Sequence, residues 1–201
     1  MSRRTFFALV TSLIVMTTPA YAHSPIMGIE GVLGGFLHAL LIPEHGMSLV
    51  ALGLTLGREE QHRRRYGLLV FTASLVAGLL AVGLSAEATF AGDGLLAATG
   101  ILALLLAVAW MPALLYWALI AVVGVAFALD SKPDVTATAE LARMLIGSGL
   151  GGALALTFVA EGSFLSRGPA QHIATRVLGS WIAAIAILDL SLRVVTRIST
   201  G

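Results

Sequence analysis

Cysteine is absent from the 201 residues, which excludes disulfides, thiolate metal ligands and a cysteine nucleophile. Charge is scarce as well. Only 11% of the residues are Asp, Glu, Lys or Arg, against about a quarter in an ordinary soluble domain. The 12 basic and 11 acidic side chains nearly cancel, leaving a formal charge of +1. That balance provides no basic face for nucleic acid. No Gly-rich cradle of the Walker type is present, which argues against ATP-driven transport by this chain alone. A soluble enzyme and a disordered tail are equally poor fits to a chain that is 58% hydrophobic with a mean hydropathy of +0.94. What remains is a single membrane-embedded domain.

Residues 1–22 have the layout of a secretory signal. Arg3 and Arg4 precede an apolar core from Phe6 to Met16, and Ala20-Tyr21-Ala22 offers a small-x-small cleavage site. The core is too short to span about 30 Å of hydrocarbon. Cleavage after Ala22 makes His23 the first mature residue, with an α-amine and an imidazole available together for a divalent metal. Downstream, six apolar stretches fall at about 28–57, 66–86, 95–110, 113–129, 141–160 and 173–195, each without the polar face of a surface helix. The expected breaks are the charged turn Arg58 to Tyr66, the turn Gly92-Asp93-Gly94, Pro112, the loop from Asp130 to Asp134, and Glu161 to His172.

The expected fold is therefore an all-α, polytopic membrane helix bundle. It has six transmembrane helices after a cleaved signal peptide, in one integral membrane domain over residues 23–201. Arg58, Arg63, Arg64 and Arg65 put the first inter-span loop inside by the positive-inside rule, with Arg167 and Arg176 on the same side. The mature amino end is then periplasmic in a bacterial inner membrane, and Arg193 and Arg197 on the outer side stand in mild conflict with the rule. Trp110, Tyr116 and Trp117 read as interface anchors, whereas Trp181 is expected to pack between helices.

The first span carries the chemistry. It holds Glu30, His38, Glu44 and His45, groups that hydrocarbon disfavours and that should turn to the protein interior. Pro43 removes a backbone donor, so the helix is expected to kink there, around a polar cavity. His38 and His45 return to nearly one azimuth but stand about 10 Å apart on an unbroken helix, too far for one metal unless the break shortens the gap. Gly28, Gly31, Gly34 and Gly35 offer a bare surface for close helix packing. Imidazole with carboxylate and no thiolate suits Ni²⁺ or Co²⁺, with Zn²⁺ also open, more than Cu⁺. A buried hydrogen-bonded pair that merely orders the bundle is the plainer alternative. Asp189 is either a further ligand facing span one or the i,i+4 partner of Arg193. Glu30 either gathers cations at the outer mouth or lies in the interface. His62, Glu161 and His172 read as solvated loop residues.

At these residues the chain resembles the HupE/UreJ family of hydrogenase- and urease-associated nickel permease-like membrane proteins. The resemblance rests on His23 after the cut, Gly35-Phe36-Leu37-His38, and Glu44-His45 where the family has Asp-His. The closing segment Arg176-Val-Leu-Gly179-Ser-Trp-Ile-Ala-Ala is also similar. It departs at Val125 to Asp130, where the family carries a second histidine-rich motif and this chain has only Asp130. The resemblance implies a secondary permease or uptake accessory for a divalent transition metal, nickel or cobalt, held by His38, Glu44 and His45 with His23, Glu30 and Asp189 nearby. It implies no enzyme activity and no tightly bound cofactor. Because only neutral imidazole binds metal, uptake is expected to fall as pH drops through about 6.5. The missing motif leaves a non-transporting assembly factor, bound to a membrane or metalloenzyme-assembly partner, as the alternative. An intramembrane zinc hydrolase lacks a third ligand in spans two to five, which contain no histidine.

Overall fold

In a computed structural model that describes residues 29–84, 89–133, 135, 137–166 and 168–200, those residues form seven α-helices and no strand. Residues 1–22, expected to be a signal peptide, and His23 lie outside the described residues. The helices are α1 (Gly31–Leu41), α2 (Pro43–Arg58), α3 (Gln61–Gly83), α4 (Ala91–Val108), α5 (Ala113–Asp130), α6 (Thr138–Leu165) and α7 (Pro169–Thr200). Helices α3 to α7 are each long and apolar enough to cross a membrane, and α1 with α2 qualify together as a pair bent by 71°. Leu69, Leu80, Leu114, Leu154, Phe158, Leu188 and Ile198 are all more than half exposed. In water such an exterior would aggregate, whereas against acyl chains it is at home. The protein is a multi-pass membrane protein.

The break falls where the proline requires it. Ile42 is extended (φ −73°, ψ 121°), as the residue before a proline prefers. Pro43 occupies the first turn of α2, where its missing N–H would be unsatisfied anyway. The chain is stitched across the break by Ile42 N–H to the His38 carbonyl at 3.3 Å and Gly46 N–H to the Ile42 carbonyl at 3.0 Å.

Glycines set how the spans pack. A Cβ at Gly35 would strike the Met144 carbonyl, and one at Gly147 the Val32 carbonyl. One at Gly151 would come within 2.9 Å of the Phe36 carbonyl oxygen. Ser148 Oγ donates to the Gly35 carbonyl at 3.1 Å across the same seam. Farther along, Gly53 meets Val159 and Gly57 meets Ser163. The contact positions rise together on both partners, so α6 runs parallel first to α1 and then to α2. A re-entrant loop would reverse direction at the break. This chain does not, and α1 with α2 forms one interrupted crossing. By the same reasoning α3 and α5 are parallel (Gly67 by Ile120, Gly78 by Ala128), and α4 and α7 antiparallel (Gly179 by Ala103, Gly100 by Ala186). Spans an even number apart run alike, as six consecutive crossings require.

Several expected boundaries move. The charged turn shrinks to Glu59 and Glu60, because α3 starts at Gln61 and takes Arg63 and Arg64 into its first turns. Gly92-Asp93-Gly94 is no turn but the opening of α4, where the acidic side chain complements the helix dipole. The third span ends at Val108 through Ala109, a left-handed cap with φ 57°, while Pro112 caps α5. Much of the expected loop at 161–172 is helix, since α6 continues to Leu165 and α7 begins at Pro169. Tyr116 is no interface anchor: it is buried and donates its hydroxyl to the Arg63 carbonyl at 3.3 Å. Trp181, expected between helices, is 65% exposed on the outside of α7.

Candidate functional site

His45 lies in the first turn of α2 and is fully buried. Its ring leans on Phe127 of α5, with centroids 4.2 Å apart. Its Nε2 is 3.0 Å from Oδ2 of Asp130, the last residue of α5. An ionised carboxylate can only accept, so Nε2 carries a proton, and in the neutral tautomer of the ring the lone pair is left on Nδ1. That Nδ1 is buried with no hydrogen-bond partner among the described residues. A neutral imidazole oriented by a carboxylate behind it, with its other nitrogen open, is the electronic form of a metal-ligating histidine.

His38, partly buried near the end of α1, brings its ring to 6.1 Å from that of His45, centroid to centroid and nearly edge-on at 81°. The bend thus closes much of the roughly 10 Å that a straight helix would impose. A metal about 2.0–2.1 Å from an imidazole nitrogen lies about 3.2 Å from the ring centre. Two such reaches sum to about 6.4 Å, so a separation of 6.1 Å admits one shared ion only with a nitrogen of each ring turned nearly toward the other.

The other expected residues divide. The Glu44 carboxylate is paired with Arg193 of α7. Asp189 takes the same guanidinium at 3.2 Å, which is the i,i+4 arrangement. Asp93 lies 3.5 Å from Arg193 and also pairs with Arg197. Gly92 makes this crowding feasible, because a Cβ there would sit 2.8 Å from Asp130 Oδ1 and 3.3 Å from Arg193 Nη1. Glu30 is exposed before α1 and forms no cap bond. Among the described residues, no set of three or more His, Asp or Glu side chains is arranged to hold a metal ion. The site is a pair of imidazoles, with Asp130 behind one of them.

Asp130 is the residue that sequence reasoning undervalued, since it stood only as the border of a missing motif. Span parity was the available signal: the end of span four and the start of span one lie at the same end of the bundle.

The opposite end is built from arginine. Arg64, 3% exposed, makes a two-pronged bond to Glu161 at 3.0 and 3.1 Å, and its guanidinium lies 3.5 Å from the centre of the Phe164 ring. Glu161 is therefore not a free solvated residue. Arg58 and Arg176 donate to the carbonyls of Leu106 and Ala107, at 3.3 and 2.9 Å, in the last turn of α4. Arg63 pairs with Glu59 at 3.1 Å and lies over the Tyr116 ring. His62 rests edge-on against Tyr66, and His172 is exposed.

No family model, curated protein or solved structure matches this chain.

Proposed function

We propose that this protein is a secondary permease, or an uptake accessory, for a divalent transition metal such as Ni²⁺ or Co²⁺, with His38 and His45 as its intramembrane station. The observation that supports this best is the open, buried Nδ1 of His45, whose other nitrogen is engaged by Asp130. A lone pair buried without a donor is costly unless a ligand uses it, and a borderline cation between two imidazoles does so. Two protein ligands leave the remaining positions to water, which keeps the affinity modest and lets the ion depart. In this reading Asp130 replaces Glu44 and Asp189 as the working carboxylate, through the imidazole rather than on the metal. The arginine-rich end faces the cytoplasm, the mature amino end is periplasmic after signal cleavage, and the membrane is a bacterial inner membrane. Likeness to the HupE/UreJ proteins in Gly35-Phe36-Leu37-His38 and Glu44-His45 belongs to the same proposal.

Proteoliposomes loaded with a metal-sensitive dye test it. Wild-type protein is expected to admit Ni²⁺ or Co²⁺, and His38→Ala and His45→Ala to admit neither. Equal entry in all three would overturn the reading.

One observation favours a second reading, a non-transporting component that recruits a membrane or metalloenzyme-assembly partner. Asp130, Glu44, Asp93 and Asp189 are all already engaged within the bundle, as in a site kept for order. That reading predicts no metal entry in liposomes, unchanged folding without metal, and a partner that co-purifies from the native membrane.

A further inference from the structure

Along α4, the residues Gly92, Thr99 and Leu106 stand one heptad apart and so share one face. Gly92 faces Asp130 and Arg193 at one end. Leu106, at the other, lines a polar pocket of about 210 Å³ together with Thr55, Arg58 and Glu59. Between them, Thr99 is fully buried and its hydroxyl has no partner among the described residues. That is unusual here, because Thr55, Thr72 and Thr157 all return their hydroxyl protons to the carbonyl one turn back, the ordinary refuge of a helical threonine in lipid.

Helix α2 offers a matching line. His45, Ser48 and Thr55 are all buried and lie on adjoining positions of one helical face. Helices α2 and α4 belong to spans one and three and run parallel, and Arg58 reaches the Leu106 carbonyl. Moving one heptad back along each helix from the Thr55 and Leu106 level therefore arrives at the height of Ser48 and Thr99, on a face of α4 that also borders α7 through Gly179 beside Leu106 and Arg193 beside Gly92. Ser48 and Thr55 donate to their own backbone at 2.8 Å, so what each hydroxyl offers outward is oxygen lone pairs. Those suit a hydrated cation, whose waters present hydrogens.

The geometry points to a permeation route: a hydrated divalent cation leaves the His45 station along the seam between α2 and α4, passing Ser48, Thr99 and Thr55 to the pocket at Arg58 and Glu59. This rests on the metal reading of the histidine pair. Leu52, fully buried between Ser48 and Thr55, closes the seam in this conformation, so passage requires α2 and α4 to part, as alternating access demands.

The absence of native cysteine makes the test direct. Thr99→Cys and Thr55→Cys are reconstituted and exposed to a small charged methanethiosulfonate, with Leu156→Cys, equally buried on α6, as the control. Expected are loss of the free thiol at positions 99 and 55, retention at 156, and protection of both route thiols by Co²⁺. Ser48→Cys samples the same level should Thr99→Cys not fold. Thiols at 48, 55 and 99 that stay unmodified, while a titration shows Co²⁺ still bound, overturn the route and leave the histidine site standing. Labelling that Co²⁺ does not slow, in protein that binds Co²⁺, also overturns it. Wild-type protein that binds no Co²⁺ removes the site and the route together. Thr99→Val adds a functional readout: uptake lost with Co²⁺ affinity kept, and uptake restored in Thr99→Ser. Undiminished uptake in Thr99→Val contradicts the route.

Discussion

At the Arg64 end of the bundle, guanidinium groups meet carboxylates and helix-end carbonyls pair by pair. At the His45 end, four carboxylates (Glu44, Asp93, Asp130 and Asp189) share two guanidiniums and one imidazole. Both ends pair the charges that lipid would reject, and each keeps one buried nitrogen without a hydrogen-bond partner among the described residues, Arg64 Nη1 at the first and His45 Nδ1 at the second. Only the second sets acidic charge in excess beside it. The lesson is that paired charge by itself marks structure. An acidic surplus next to a buried nitrogen acceptor with nothing to bond marks a place for a cation that arrives.

The sharpest way to break this comparison is at His45. His45→Ala is expected to abolish Ni²⁺ and Co²⁺ binding in a calorimetric titration, while the Arg64 end stays intact. Asp130→Asn keeps the shape but removes the charge that holds the imidazole tautomer. Its affinity is expected to fall by about 10–100-fold, as for other residues behind a metal ligand. Arg193→Gln works in the opposite direction. Freed from their shared guanidinium, Glu44 and Asp189 add to the local negative potential, so Co²⁺ binding should tighten several-fold at low ionic strength, with the gain shrinking as salt is added. Arg64→Lys loses the two-pronged geometry. It should lower the melting temperature in detergent, by an amount corresponding to about 1.5–3 kcal/mol, and leave metal affinity where it was. A metal defect in Arg64→Lys equal to that in Asp130→Asn would erase the distinction between the two ends.

Much of the frame was readable from residues alone. Proline at position 43, in a span too long for one straight crossing, announced the interruption, and the glycines at 34 and 35 announced a close helix partner. The spacing of Asp189 and Arg193 announced their pairing. What periodicity conveys is azimuth on one helix, and it is silent about which helix lies opposite. For that reason Glu44, close to the face of the histidines on paper, ended on Arg193 of α7, and Asp130, 85 residues beyond His45, became its partner. Composition misled in a second way. Gly92-Asp93-Gly94 and the arginines after Arg58 look like turns because their residue types favour turns. Packing of α4 against α7, and of Arg64 against Glu161 and Phe164, draws them into helix instead.

X-ray absorption at the metal edge of the Co²⁺- or Ni²⁺-loaded protein interrogates the central claim with the fewest intermediates. Scattering from two imidazole rings is expected in the wild type and from one in His38→Ala. Oxygen-only coordination, identical in the wild type and His38→Ala, would contradict the account.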